Sequence, residues 1–291
     1  MQRTGRFAPS PTGDLHFGSL VAAVASFLQA RSSGGQWLVR MEDIDPPREI
    51  QGSAKSILTE LQKFGLHSDR PVLYQSQRSE AYEQAIADLL ERGQAYWCGC
   101  SRADLPASGI YPGTCSMGLS KGKSPRSVRL RVSDQVVRFT DQVQGQVEEN
   151  LKDLVGDFVI RRADGLAAYQ LAVVVDDAFQ GITEVVRGAD LLDSTTRQIH
   201  LQKCLDLPTP VYAHHPVAVG NDGLKLSKRL GSDPITTLSE PEALEMALGF
   251  LGQPFPPGLG MNELWDWALD NWRLSLVPNL INVTHQPPSG K

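Results

Sequence analysis

The sequence predicts an α/β fold in which a parallel sheet carries helices on both faces. Over the first 95 residues, short apolar strands alternate with amphipathic helices. This rhythm is typical of parallel sheets, because two parallel strands are joined through a crossover helix. The rhythm then breaks in a segment rich in cysteine, glycine and proline. It resumes near residue 156, and two helical stretches follow towards residue 291.

The first part of the chain contains the elements of this sheet in order. Three short apolar runs are the expected strands, at Phe7-Ala8, Trp37–Met41 and Val72–Tyr74. The expected helices have apolar residues at helical spacing, and each stops at a glycine. They run from about Leu20 to Gly34, from about Ile57 to Gly65, and from about Ser79 to Arg92.

The later elements rest on shorter signals. The β-like runs and strands are expected at Val128–Val132, Val136–Thr140, Phe158–Ile160 and Ile182–Val186. The helices are expected near Ser194–Leu205, Glu242–Leu251 and Met261–Trp272. We expect the proline-containing tail from Val277 to Lys291 to be loosely held.

These signals divide the chain into four predicted segments. Residues 1–95 and 156–218 would form the two halves of a Rossmann-like catalytic domain. Residues 96–155 would be an insertion into that domain. Residues 219–291 would hold a polar loop and a small helical C-terminal subdomain.

The composition is that of a globular protein, with 41% hydrophobic and 21% charged residues. No apolar run approaches the roughly 20 residues of a membrane helix, and Met1 leads directly into a strand rather than a secretory signal. Four cysteines, three of them clustered, fit a reducing compartment. We therefore expect a cytoplasmic monomer without a membrane partner.

The formal net charge of −5 argues against broad, nonspecific binding of nucleic acid. Charge can nevertheless be local. A basic stretch consists of Lys121, Lys123, Arg126, Arg129 and Arg131. Its two interpretations are an RNA contact and a solvated loop with a strand edge.

Two distant motifs carry the predicted chemistry. Residues 6–19 read RFAPSPTGDLHFGS, and residues 225–229 read KLSKR. A strand that turns into a helix leaves free backbone N–H groups that attract phosphate, and Gly13 and Gly18 allow a nucleotide to approach the backbone. His16 can donate to phosphate oxygens, while Lys225 and Lys228 supply positive charge where pyrophosphate leaves. Either motif alone is typical of packing or of a solvated loop. The pair predicts a site that binds ATP and supports attack on its α-phosphorus.

These motifs resemble those of a known family. Residues 16–19 are similar to the HIGH motif of class I aminoacyl-tRNA synthetases, and residues 225–229 to their KMSKS loop. Residues 7–13 and 40–45 resemble the glutamyl branch. Ser19 replaces the final His of the first motif, and Arg229 replaces the final Ser of the second. The resemblance runs to about Lys228, and the sequence ends at Lys291 without the large anticodon-binding region of full-length glutamyl enzymes, so we expect a shortened member.

The resemblance implies a reaction and its substrates. L-glutamate would be activated by ATP with Mg²⁺, and the glutamyl group would pass to queuosine in the anticodon of tRNA(Asp). The implied glutamate-binding residues are Arg6, Phe7, Ala8, Pro9, Ser10, Glu42, Tyr169 and Arg187. The implied ATP-binding residues are His16, Gly18, Ser19 and Lys228, and the implied catalytic residues are His16, Gly18, Lys225 and Lys228.

The residue types in this implied pocket suit an amino acid with two carboxylates. A carboxylate such as that of Glu42 can bind the α-amino group, and arginine binds carboxylates with two parallel hydrogen bonds. Two simpler interpretations stand beside this one. Glu42 could belong with Asp43 and Asp45 to an acidic turn paired to Arg48. Tyr169 could be an ordinary packing residue.

Three cysteines within one short segment indicate a metal site. Cys98, Cys100 and Cys115 would bind zinc with a fourth ligand, for which Tyr111 and Asp104 are the local candidates. The resemblance implies that the set is Cys98, Cys100, Tyr111 and Cys115, holding one structural zinc. The alternative is three free thiols.

Several other features have a structural interpretation. Asp176 and Asp177 are expected to be surface or structural residues, and Cys204 to be core. His214 and His215 are expected to pack rather than to contact ATP. The three tryptophans of the last helix are expected to pack it onto the body: Trp265, Trp267 and Trp272.

Three alternative functions remain at this point. The first is a short glutamyl-tRNA synthetase that charges a tRNA 3′ end. The second is a class I-like nucleotidyltransferase for another substrate, which would not need the Glu42 segment or the cysteines. The third is a non-catalytic RNA-binding remnant, against which the intact His16, Lys225 and Lys228 argue.

Overall fold

The computed structural model describes residues 2–119, 121–220 and 238–284. Its strands are β1 (Thr4–Phe7), β2 (Gln36–Met41), β3 (Leu73–Tyr74), β4 (Ala95–Cys98), β5 (Ser127–Leu130), β6 (Val136–Asp141), β7 (Gly145–Asn150), β8 (Phe158–Arg161), β9 (Glu184–Gly188), β10 (Val211–His215), β11 (Val217–Val219) and β12 (Asn282–Thr284). Its helices are α1 (Phe17–Arg31), α2 (Ser53–Lys63), α3 (Ser79–Glu91), α4 (Leu151–Leu154), α5 (Tyr169–Gln180), α6 (Leu192–Cys204), α7 (Glu240–Phe250) and α8 (Met261–Asn271).

The centre of the molecule is a set of parallel strands. β1 pairs with β2, β2 with β3, and β9 with β10, each time in parallel. The backbone N–H of Thr183 donates to the carbonyl of Thr4 at 3.0 Å and brings the start of β9 to the start of β1. The strands therefore follow the order β3-β2-β1-β9-β10. The predicted α/β fold with a parallel sheet is confirmed.

Alternating side chains of β2 show that helices cover both faces of this sheet. Trp37 and Val39 lie in a core with α1, α7 and α8, whereas Leu38 lies in a second core with Ile199 of α6. Successive side chains of a strand point to opposite faces, so an uninterrupted apolar run is what a sheet covered on both sides requires.

A second, antiparallel sheet follows α3. β5 pairs with β4 on one side and with β8 on the other, with an irregularity between Val128 and Arg129. β6 and β7 form a separate antiparallel hairpin. The turn of this hairpin reaches the end of β10. There the backbone N–H of Gln142 donates to the carbonyl of Tyr212, and the side-chain amide of Gln144 donates to the carbonyl of His214.

The structure corrects two predictions. The first strand is Thr4–Phe7 rather than Phe7-Ala8, so Arg6 lies near its carboxyl end. Residues 282–284 of the tail are not loosely held, because they form β12 and pair with β11. Helix α5 was not predicted. Asp176 and Asp177 lie buried within it, in agreement with the structural alternative of the two that the sequence left open.

The tryptophans near the C-terminal end pack as predicted. The indole N–H of Trp265 donates to the carbonyl of Phe64, and that of Trp272 donates to Gln29. Cys204 is buried, as expected. Within the described ranges, no helix is long and apolar enough to cross a membrane.

Candidate active site

A cavity of about 410 Å³ opens at the carboxyl ends of β1, β2 and β9. This is the edge of a parallel sheet at which ligands bind in open α/β folds. All eight predicted glutamate-binding residues line it: Arg6, Phe7, Ala8, Pro9, Ser10, Glu42, Tyr169 and Arg187. His16, Gly18 and Ser19 from the first motif line it too.

The start of α1 forms one wall of the cavity. His16 caps the helix, its Nδ1 accepting from the N–H of Ser19 at 3.3 Å while its Nε2 lies 3.1 Å from the Ser19 hydroxyl. A Cβ on Gly18 would lie 3.2 Å from the His16 ring, so a side chain there would displace the ring. Ser19, which departs from the family motif, thus contacts the motif histidine directly.

The loop before α1 is fixed from the side by α2. The Ser53 hydroxyl accepts from the N–H of Gly13 at 2.8 Å and donates to the carbonyl of the same residue at 2.5 Å. Gly13 has a φ of 139°, a conformation that side chains disfavour. The helix N-terminus and its loop therefore present a preformed wall where an anion can bind.

A buried charge network holds Arg6 and Glu42. Asp177 accepts from Arg6 Nε at 3.3 Å and from Arg40 Nη1 at 2.7 Å, and Arg40 Nη2 lies 3.4 Å from the Glu42 carboxylate. Burial works against ionisation of Asp177, but the two guanidinium groups outweigh it and lower its pKa. Burial raises the pKa of Glu42. Asp177 is therefore the ionised partner of the two arginines, and Glu42 is the carboxylate that faces the cavity.

Arg187 lies in β9, the neighbour of β1, and is held by a different set of contacts. Its Nε donates to Nε2 of His214 at 3.0 Å, and its Nη2 donates to the Thr195 hydroxyl at 2.8 Å. His214 in turn contacts Asp141 through Nδ1 at 2.5 Å. Sequence reasoning treated His214 as packing and did not single out Asp141. The two lie 73 positions apart, and no local motif joins them.

His215 and Tyr169 also line the cavity, and their pKa values define their protonation states. His215, expected to pack, lines the cavity and is buried, and burial lowers its pKa to about 4. Tyr169, at the first position of α5, also lines the cavity, and burial raises its pKa. Both rings are therefore neutral near pH 7.

The three acidic residues after β2 were expected either to contribute to the pocket or to form a structural turn paired to Arg48. Asp45 pairs with Arg48 and with Arg162, and Asp43 accepts from the Ser76 backbone N–H and hydroxyl. These two residues are structural. Glu42 alone of the three lines the cavity.

The cysteine segment folds into a compact cluster. The ligand atoms of Cys98, Cys100 and Cys115 lie within 4.8 Å of one another, and the sulfurs of Cys100 and Cys115 are 3.6 Å apart. The Tyr111 hydroxyl lies 3.3 Å from the Cys98 sulfur and 3.6 Å from that of Cys100. Thiolates on one tetrahedral zinc lie about 3.8 Å apart, because each Zn–S bond is about 2.3 Å. The three thiols fit a metal ion, and the Tyr111 hydroxyl lies beside them, close enough to be a candidate fourth ligand.

Arg129 joins the basic stretch to this cluster. Its side chain is buried, its Nε donates to the Cys98 sulfur at 3.4 Å, and its guanidinium carbon lies 3.7 Å from the centre of the Tyr111 ring. Burial alone would raise the pKa of the Cys98 thiol, but hydrogen bonds from Tyr111, the Cys100 amide and Arg129 lower it to about 7. Arg129 is thus an internal partner of the cluster rather than part of a solvated loop or an RNA contact.

The second motif lies outside the described residues. Lys225 and Lys228, like Arg229, fall between residues 220 and 238. Their predicted roles stay predictions from the sequence.

The site as described can do a definite kind of chemistry. Arg6, Arg187 and the Glu42 carboxylate line one cavity, which the N-terminus of α1 lines as well. Such a site can bind a zwitterion through its charges and place it beside a phosphate group. Positioning and preorganised charge can then promote transfer without covalent work by a side chain.

Comparison with known proteins agrees with this geometry. Residues 3–108 and 116–248 match the family model of the catalytic domain of class I tRNA synthetases (E and Q). The chain is 52% identical to the glutamyl-Q tRNA(Asp) synthetase of Dechloromonas aromatica, over 94% of this chain and 95% of that protein. It is 50% identical to the protein of the same name from Aromatoleum aromaticum, over 96% and 91% of the two chains.

A solved structure shares the fold. The glutamate-tRNA synthetase of Elizabethkingia anophelis superposes with a TM-score of 0.84 at 23% sequence identity. The match covers 98% of this chain and 68% of that one.

Proposed function

The chain belongs to the class I tRNA synthetases of the glutamate and glutamine branch, and we propose that it activates L-glutamate with ATP and transfers the glutamyl group to queuosine in the anticodon of tRNA(Asp). In the first step a glutamate carboxylate oxygen bonds to the α-phosphorus of ATP while the bond to the departing pyrophosphate breaks. In the second step a hydroxyl oxygen of queuosine bonds to the carbonyl carbon of the glutamyl group, the bond from that carbon to AMP breaks, and AMP leaves as the hydroxyl loses its proton. ATP enters with Mg²⁺.

One observation carries the first step. Glu42, Arg6 and Arg187 line a single cavity that the N-terminus of α1 lines as well. Glu42 supplies the carboxylate for the α-amino group, and the arginines supply cations for the two carboxylates. His16, Gly18 and Ser19 at the helix start would bind the phosphates, with Lys225 and Lys228 as the remaining cations.

The acceptor is supported by the relatives rather than by the cavity. The chain is 50% identical to a glutamyl-Q tRNA(Asp) synthetase from Pseudomonas aeruginosa, over 97% of both proteins. Together with the two relatives above, this supports queuosine of tRNA(Asp) as the acceptor whose hydroxyl receives the glutamyl group. A tRNA 3′ end is the alternative acceptor.

Glutamate alone should drive exchange of labelled pyrophosphate into ATP. The residues proposed for the amino acid and those of the first motif proposed for the phosphates line one cavity, so we expect the adenylate to form before any RNA arrives. The measurement is ATP–pyrophosphate exchange with glutamate, glutamine or aspartate, each with and without tRNA. Exchange that requires tRNA would favour a short glutamyl-tRNA synthetase, and exchange without glutamate would point to another nucleotidyltransferase.

The acceptor test uses labelled glutamate and three RNAs. These are tRNA(Asp) with queuosine, tRNA(Asp) without it, and an anticodon stem-loop that carries queuosine. We expect labelling of the first and the third, through an ester that alkali removes. Labelling of queuosine-free tRNA(Asp), or of tRNA(Glu) at its 3′ end, would assign a different acceptor.

We also propose that Cys98, Cys100, Tyr111 and Cys115 hold one structural zinc ion. The purified protein should then contain about one zinc per chain, as a filled tetrahedral site does. Replacing both Cys98 and Cys115 by serine should remove the metal, whereas Cys204→Ser should retain it, because Cys204 lies in α6 away from the cluster. Elemental analysis measures both. Well under half an equivalent in the unmodified protein would contradict the proposal.

A further inference from the structure

Asp141, His214 and Arg187 form a buried chain behind the cavity. The Asp141 carboxylate lies 2.5 Å from Nδ1 of His214, and Nε2 of the same ring lies 3.0 Å from Nε of Arg187. The side chains of Asp141 and His214 are fully buried, and Arg187 is 5% exposed. Asp141 ends β6, so the chain links the β6–β7 hairpin to a residue that lines the cavity.

The contacts define where the proton of His214 sits. A guanidinium Nε–H can only donate, so Nε2 of His214 must accept. The proton of the neutral ring then sits on Nδ1 and is donated to Asp141. Burial lowers the pKa of His214, which agrees with a neutral ring.

The contacts also define which part of Arg187 is available. Nε donates to His214, and Nη2 donates to Thr195 and, at 3.4 Å, to the Leu191 carbonyl. Nη1 is buried, and it has no hydrogen-bond partner within the described part of the chain. A buried donor without a partner is costly, so this nitrogen needs an acceptor from a ligand.

Arg6 and Arg187 differ in how their charge is balanced. Arg6 Nε donates directly to the Asp177 carboxylate, so its charge has a partner inside the protein. Arg187 Nε instead meets a neutral imidazole, with the Asp141 carboxylate on the far side of the ring. A direct carboxylate would compete with an anionic ligand for the guanidinium, whereas the neutral ring fixes its orientation without such a competitor.

We propose that Asp141 and His214 are positioning residues that orient Arg187 for a carboxylate of the amino-acid substrate without neutralising it. This inference rests on the proposed glutamate activation. It gives the β6–β7 hairpin a role in amino-acid affinity, although no residue of the hairpin lines the cavity.

Asp141→Asn tests the proposal with a change of one atom. Oδ1 of Asp141 accepts the backbone N–H groups of Val143, Gln144 and His214 at 2.9 to 3.0 Å. The oxygen of asparagine should keep these three bonds, which leaves its NH₂ group facing Nδ1 of His214. The ring must then accept at Nδ1 and carry its proton on Nε2, where it opposes the N–H of Arg187.

The expected result is a selective loss of glutamate affinity. The glutamate Kd from calorimetry and its KM in pyrophosphate exchange should rise about tenfold or more, because a charged hydrogen bond is replaced by two opposed donors. The KM for ATP should change less than twofold. Long-range ¹H–¹⁵N spectra of the ring should place the proton on Nδ1 in the unmodified protein and on Nε2 in the variant.

Asp69→Asn is the matched control. Asp69 also accepts a backbone N–H, that of Trp37, and a guanidinium, that of Arg31, but it lies at the opposite end of the sheet. It should leave the glutamate Kd unchanged. Unchanged glutamate affinity in Asp141→Asn, or an equal loss for ATP and glutamate, would overturn the proposal. So would a proton on Nε2 in the unmodified protein, a measurement that does not depend on the variant folding. Failure of glutamate-dependent exchange in the unmodified protein would instead count against the proposed function.

Discussion

Replacing Arg187 by alanine is expected to weaken glutamate binding by about a hundredfold or more. Truncating one member of a buried, hydrogen-bonded charge pair costs about 2–5 kcal/mol, largely because the other charge is left without a partner. Arg6 cannot substitute, since it shares the Asp177 carboxylate with Arg40. The glutamate KM in pyrophosphate exchange and a direct Kd measure the effect, while the KM for ATP should stay within about threefold.

Two further variants sharpen the Arg187 experiment. Arg187→Lys retains a charge but loses the fork that contacts His214 and Thr195, so its glutamate affinity should fall between those of the unmodified protein and the alanine variant. Arg92→Ala removes an exposed arginine paired with Asp206 and should have no effect. Unchanged glutamate affinity in Arg187→Ala would exclude this residue from the amino-acid pocket.

Replacing Lys228 by alanine is expected to slow pyrophosphate exchange by about a hundredfold or more. The loss of one charge contact to the transition state typically has this size. The effect should fall on kcat, because the contact strengthens as charge moves onto the departing pyrophosphate. The position rests on the KLSKR motif, since residues 221–237 lie outside the described part of the chain. Exposed Lys203 supplies the control variant Lys203→Ala, and an unchanged exchange rate in Lys228→Ala would remove this loop from the mechanism.

Elements with a clear period and a clear stop could be predicted from the sequence, whereas α5 could not. α1 shows apolar residues at helical spacing before Gly34. In α5 the run Val173-Val174-Val175 resembles a strand, and Ala168 at its start offers no capping side chain. Its buried side chains include Asp176, Asp177 and Gln180, so apolar residues alone do not mark its buried face.

In the candidate site, some residues could be predicted from the sequence and others could not. The resemblance to a family was enough to propose Glu42 and Arg187 for the pocket. Their supports could not be named in this way. The sequence left open whether Asp177 is a surface or a structural residue. It holds Arg6 and Arg40 through contacts between α5 and the sheet, which join positions 137 or more residues apart and which no local pattern reveals.

The pairing of β12 with β11 bears on the order in which the protein matures. Val217 and Ala218 of β11 line the cavity, and their partners are Asn282 and Val283. During synthesis on the ribosome, more than 60 residues must therefore follow β11 before its partner strand emerges. Until then, one edge of a cavity-lining strand offers open backbone groups to other chains. A chain that ends before residue 282 would therefore leave this three-residue edge of the cavity without its partner strand.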